Sequence, residues 1–131
     1  MKNGSQKPKS NHADSARGRL GRYGEELAAA FFLAKGFEIV DRNWRSRVGE
    51  IDLVVRRGHE LRFVEVKTRR SHVFGFPEGA VTPTKLQHLA GAMELWLRGH
   101  HCTSASYQVD VLAISLLPTQ ESPHIEWIQG V

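Results

Sequence analysis

The sequence has little of what several function classes require. It contains one cysteine, Cys102, so no disulfide can close within the chain. A lone thiol suits a reducing compartment, and a cytoplasmic protein is expected. No uninterrupted apolar run approaches the roughly 18–20 residues of a membrane span. The opening MKNGSQKPKSNHADSARGR lacks the apolar core of a secretory signal, so no membrane partner is expected. No glycine-rich loop is present to cradle a phosphate, and no serine or cysteine stands in a nucleophile-and-base constellation. The seven histidines, including the pair His100-His101, lack the cysteines or spaced acids of a zinc pattern. No internal repeat is found. At 131 residues the chain is long enough for one sheet covered by helices but not for two cores.

Basic charge is present but unevenly spread. The net charge is +4. Residues 1–22 hold six Lys or Arg against the single acid Asp14, or +5, which leaves the remainder at −1. Residues 1–17 are therefore expected to form a disordered, solubilising basic tail, with the folded domain at 18–131. The other reading of that tail is an arm touching phosphates without sequence preference.

The densest information lies in Gly49–Arg69, GEIDLVVRRGHELRFVEVKTR. Ile51, Leu53 and Val55 alternate with Asp52 and Val54; Val64 and Val66 alternate with Phe63, Glu65 and Lys67. Two β-branched runs flanking Gly58-His59 predict a hairpin. With a two-residue loop, Asp52 falls opposite Glu65, and Glu50 opposite Lys67. Directly opposed Cβ atoms lie about 4.5–5.5 Å apart, close enough for two carboxylates to share one cation. A slip of one residue would separate them onto opposite faces.

Two adjacent carboxylates repel unless one takes a proton or a cation neutralises both. Hard oxygen ligands favour Mg²⁺, Mn²⁺ or Ca²⁺ over zinc. Lys67, two residues beyond Glu65 on the same face, could orient or deprotonate an attacking water, or meet charge developing on a phosphate. The plainer alternative is a solvent-facing hairpin with Lys67 paired to Glu65 or Glu50. Arg42, Arg45 and Arg47 precede the Asp52 strand, and Arg69 and Arg70 follow Lys67. The hairpin brings both groups to its open end, a basic rim suited to a phosphodiester. Trp44, among these arginines, either stacks on a base or packs at the start of a strand.

Asp52, a spacer, then Glu65-Val66-Lys67 resembles the signature of the PD-(D/E)XK nuclease superfamily. The strings GRYGEELAAAFFLAKGF (21–37), RNW (42–44), GEIDLV (49–54), FVEVKTR (63–69) and YQVDVLAI (107–114) are similar to those of the YraN-type family, small bacterial proteins with a Holliday-junction-resolvase-like nuclease fold. The resemblance covers about residues 18–117. It implies a PD-(D/E)XK nuclease-like domain, a restriction-endonuclease-like α/β sandwich with a central mixed β-sheet flanked by helices. It also implies a Mg²⁺- or Mn²⁺-dependent endonuclease acting on structured or branched DNA. Asp52 and Glu65 would ligate the metal with Glu25 and the Val66 backbone carbonyl, and Lys67 would be the catalytic lysine. Glu50 and Asp110 would support that cluster. Arg42, Arg45, Arg47, Arg69, Arg70 and Lys85 would contact nucleic acid. The motif's leading proline is absent, Ile51 standing before Asp52. Around Lys85-Leu86-Gln87-His88 the chain is less basic than the family tends to be. A homodimer would match a two-fold junction; no residue marks its face, and a monomer stays open.

The scaffold follows from periodicity. Leu20, Leu27, Phe31 and Ala34 predict a helix ending before Gly36, and Phe37–Val40 a short strand. After the hairpin, His72–Gly79 reads as a loop. Thr82 caps a second helix with Pro83 at its first position; Leu86, Leu89, Ala90, Met93, Trp96 and Leu97 form its inner stripe. Tyr107–Ile114 and Ile125–Ile128 are the last strands. His88 on the second helix either faces the site or, as the plainer reading, takes a solvated helix position. Asp110, a charge in an apolar strand, needs either an arginine or the metal cluster nearby. Two function classes remain: the nuclease, and a catalytically weak or inactive nucleic-acid-binding or protein-docking module on the same fold.

Overall fold

The computed structural model describes residues 16–70, 81–101, 106–117 and 121–131. The expectations for most of the basic tail and for the loop 72–79 lie outside those residues. In chain order the elements are helix α1 (Ala16–Ala34), strands β1 (Glu38–Arg45), β2 (Glu50–Arg57) and β3 (Glu60–Arg69), helix α2 (Pro83–Gly99), and strands β4 (Ser106–Ser115) and β5 (His124–Ile128). The strands form one sheet in the order β1-β2-β3-β4-β5. β3 and β4 run parallel and the other neighbours antiparallel. This is the mixed α/β sheet expected. Parallel neighbours need a crossover connection, and α2 lies within it. No helix among the described residues is long and apolar enough to cross a membrane.

The two helices cover opposite faces. Ala28 and Phe32 of α1, one turn apart, are buried with Phe37, Leu53, Val55, Val64, Leu112 and Ile114. Leu89, Ala92 and Trp96 of α2 are buried with Ile51, Val54, Leu61, Phe63 and Val109. On the α1 side Phe32 meets Trp127 edge-to-face at 5.4 Å. Burying side chains of this size contributes roughly 1.5–3 kcal/mol each. Gly36, at φ 91°, ends α1 by adopting the left-handed conformation that a helix stop requires. Thr82 caps α2 as expected, its hydroxyl accepting the Lys85 N–H at 3.1 Å.

Two local expectations change. β1 runs to Arg45, well past Val40, through a register irregularity between Ile39 and Asp41 and a left-handed Asn43 at φ 49°. Asparagine tolerates that conformation better than most residues. Asn43 lies opposite Asp52, between the pairs Arg42↔Leu53 and Trp44↔Ile51. Here strict alternation fails: Ile51 joins Val54 on the α2 side instead of following Leu53 and Val55. Trp44 packs against the same α2-side cluster.

Of the two partners open to Asp110, the structure supplies the arginine. Asp110 is fully buried. It accepts from Arg62 Nη1 at 3.0 Å, and from Gln108 Nε2, Trp127 Nε1 and the Gly130 N–H at 2.9 Å each. Removing one member of such a buried pair strands the other charge. Asp110→Ala is expected to lower unfolding stability by about 3–5 kcal/mol, measured by urea denaturation.

Candidate active site

The turn sets the register as the sequence requires. Gly58 adopts φ 62°, and the hairpin pairs Arg57↔Glu60 through to Leu53↔Val64. The β2–β3 ladder ends there, although β2 stays paired with β1 as far as Glu50 and β3 with β4 as far as Arg69. The sheet therefore opens between its second and third strands at the level of Asp52 and Glu65. Asp52 Oδ2 accepts the Val66 N–H at 2.8 Å, so a side chain takes the place of the missing strand pairing. In a strand, the N–H and C=O of one residue leave on the same side, so the Val66 carbonyl also faces the opening.

A cavity of about 270 Å³ occupies this opening, lined by Gly49, Glu50, Asp52, Glu65, Lys85, His88 and Leu89. Asp52, Glu65 and Glu50 are thus brought together as expected. Glu50 does not complete a ladder pair with Lys67; it lies 3.7 Å from Arg45 across the β1–β2 edge. Glu25 approaches Asp52 from behind. It lines a second cavity with Arg22, Glu26, Arg42, Asn43 and Asp52, and it does not line the one that holds Glu65. Among the described residues no three His, Cys, Asp or Glu side chains converge tightly enough to hold an ion by themselves.

Electrostatics mark the same place. Burial, then the neighbouring Glu65, pushes the Asp52 carboxyl up to about 7, against the pull of the Val66 N–H. Burial likewise raises Glu65, opposed by Lys85 and Lys67, and raises Glu25, opposed by Asn43. Burial and the adjacent Lys85 lower Lys67. Three carboxyls that resist ionisation and a lysine that resists protonation form one cluster of perturbed groups, the pattern common at functional sites.

The donor set fits a hard divalent cation. Asp52, Glu65 and the Val66 carbonyl offer oxygen only, and Mg²⁺ is usually held by one or two carboxylates with waters and substrate phosphate completing its shell.

Two residues of α2 complete this site. Lys85, expected to contact nucleic acid, stands with Nζ 3.7 Å from Glu65 Oε2. His88, for which both a site-facing and a solvated position were open, is exposed and lines the Asp52–Glu65 cavity. Their spacing of three residues, one turn of a helix, was the signal available. Close packing puts them there: a Cβ on Gly49 would stand 2.9 Å from the His88 carbonyl oxygen. Of the basic rim, Arg42 pairs with Glu26 at 3.3 Å, while Arg47 and Arg70 are exposed.

A sequence model described as "Uncharacterised protein family UPF0102" matches residues 24–114. The chain is similar to a UPF0102 protein of Streptomyces griseus, 44% identical over 118 residues, covering 89% of this chain and 98% of that one. It is 45% identical over 112 residues to one from Renibacterium salmoninarum, covering 86% and 94%. A third, from Geobacter sulfurreducens, is 44% identical over 109 residues, covering 83% and 84%. The matched region spans Glu25, Asp52, Glu65, Lys67 and Lys85.

Proposed function

The chain belongs to the uncharacterised protein family UPF0102, and we propose that it is a metal-dependent endonuclease that hydrolyses phosphodiester bonds in structured or branched DNA. One observation carries this reading: Asp52 and Glu65 meet where β2 and β3 part, with Lys67 on the same strand and face as Glu65. A structural hairpin gains nothing from burying two like charges together. A site for a cation and a phosphate does.

Asp52, Glu65 and the Val66 carbonyl would hold Mg²⁺ or Mn²⁺, which when bound supplies a Lewis acid for the phosphate and a more acidic water. The Val66 N–H fixes Oδ2 of Asp52, a residue that lines the cavity. Lys67 Nζ, with its proton affinity lowered, takes the proton of the attacking water. As the water oxygen bonds to phosphorus, the bond to the leaving sugar oxygen breaks and that oxygen takes a proton from solvent, giving a phosphate monoester and a hydroxyl. Lys85 exchanges Glu65 for a phosphate oxygen and balances the charge spreading over the reacting group. Arg42, Arg45, Arg47, Arg69 and Arg70 meet neighbouring phosphates without reading sequence. The chain would act in the cytoplasm, as a homodimer on a two-fold junction.

The test is Mg²⁺- or Mn²⁺-dependent cleavage of labelled four-way junction, flap, single-stranded and duplex DNAs, with an Asp52→Asn/Lys67→Ala double mutant alongside. Metal-dependent cutting that vanishes in the mutant is expected. Junction binding unchanged by the mutations, with no cutting of any substrate, would instead identify a binding module.

A further inference from the structure

A second cavity on the α2 face has no part in the chemistry above. It measures about 380 Å³, within the range of small-molecule sites (roughly 300–1,000 Å³), and is lined by Val81, Leu86, Val111, Glu126, Ile128 and Val131. Five of its six walls are aliphatic and the sixth is a carboxylate.

Its position relates it to the active site. Lys85 and Leu86 are consecutive on α2, yet Lys85 lines the carboxylate cavity and Leu86 lines this one. The sheet repeats the relation. Val111 is the register partner of Glu65 on one side and of Ile128 on the other. One step along, Ala113 is the partner of both Lys67 and Glu126. Paired residues share a face, and neighbouring strands are about 4.8 Å apart. The groove therefore begins one strand from Glu65, and its carboxylate stands two strands from Lys67 across the small Ala113.

We propose that this groove receives an unpaired nucleobase of the nucleotide flanking the bound phosphate, with Glu126 reading its Watson–Crick edge and guanine preferred. The inference rests on the nucleic-acid reading given above. Unpaired bases are recognised by contact with their flat faces and hydrogen bonds to their edges, and the aliphatic walls and the Glu126 carboxylate supply one of each. A carboxylate only accepts. Guanine presents two adjacent donors, N1–H and N2–H, to its two oxygens; thymine presents one donor between two carbonyls that would repel it. A base held in a duplex cannot enter, so the groove selects substrates with an unpaired nucleotide beside the cut.

The decisive measurement uses the full 131-residue chain, ¹³C-labelled at its methyl groups, titrated with dGMP and dTMP without metal. The Leu86, Val111 and Ile128 methyls are expected to shift with dGMP, which binds roughly tenfold tighter than dTMP, the discrimination of one good bidentate contact. Glu126→Gln brings dGMP close to dTMP while the free-protein spectrum stays native. Equal shifts with both nucleotides, or shifts near Lys85 without any at Leu86, Val111 and Ile128, overturn the groove assignment. Because no bond is cut here, the outcome is independent of catalysis. Selective shifts in a chain that cleaves nothing would uphold the groove and reject the nuclease. Metal-dependent cleavage with a silent groove would do the reverse.

Discussion

Lys67→Ala is expected to lower metal-dependent DNA cleavage by roughly 10²–10⁴-fold, the usual loss when a positioned general base is removed. Junction binding should change far less, because in the proposed complex Lys85 and the rim arginines would still meet phosphates. The direction comes from the environment of the ammonium. Burial and the neighbouring Lys85 lower its proton affinity, and Glu65 and Asp52 only partly restore it. The neutral amine is thus more populated near neutral pH than for an exposed lysine, and cleavage should rise with pH until Lys67 is deprotonated. Lys67→Arg separates the two roles open to this side chain. Arginine keeps the positive charge but cannot release its proton in this pH range. If Lys67→Arg cuts at near-native rate with an unchanged pH profile, proton transfer is not what Lys67 does. Single-turnover rates from pH 6 to 9 for the native chain and both variants would decide.

The second large effect concerns Asp52 and needs no substrate. Its carboxyl titrates at about 7 in the folded chain against 3.8 as the reference value. Between those values the folded protein keeps a proton that the unfolded chain has lost. Stability is therefore greatest at the acid end of the window and falls as pH rises toward 7. At about 1.36 kcal/mol per pH unit the loss is bounded near 4 kcal/mol, and the raised Glu65 and Glu25 act in the same sense. Asp52→Asn removes the largest of these contributions, so the variant should melt higher than the native chain at pH 7.5 and vary less with pH. Millimolar Mg²⁺ or Mn²⁺ should raise the native Tm at pH 7.5, since a ligand that binds only the folded state stabilises it, and should leave Asp52→Asn nearly unmoved. Thermal melts at pH 5 and 7.5, with and without the cation, test both statements. Melting curves indifferent to the cation in both proteins would remove the basis for a metal at this site.

Whether a feature was legible in the sequence depends on how far apart along the chain its causes lie. The Asp52–Glu65 apposition was readable because a turn residue with positive φ, Gly58, and two short alternating runs fix it within about fifteen residues. The cap at Thr82 and the stop at Gly36 are equally local. What no single stretch shows lies where distant segments meet. Ile51 lies with the α2-side cluster next to the point where Asn43, eight residues earlier and on the neighbouring strand, takes a left-handed conformation. Glu25 reaches Asp52 because α1 lies close on β3: a Cβ on Gly24 would overlap the Thr68 hydroxyl, so only glycine allows that approach. Asp110 could be recognised as needing a partner, but that Arg62, two strand positions before Val64, and the C-terminal Gly130 N–H would serve it depended on the β3–β4 pairing.

By itself, then, the sequence determined the order of elements, the hairpin register and the identity of two carboxylates and a lysine on neighbouring strands. Local backbone preferences and a period-two pattern suffice for that. Only the tertiary structure decided that the β2–β3 ladder stops at Leu53↔Val64, that Lys85 and His88 close over the opening, and that an aliphatic groove adjoins it. The last two follow from where the crossover helix α2 settles on the sheet. That position is a balance of packing over the whole α2 face, set by contacts such as Gly49 against the His88 carbonyl, and no single stretch of the chain encodes it.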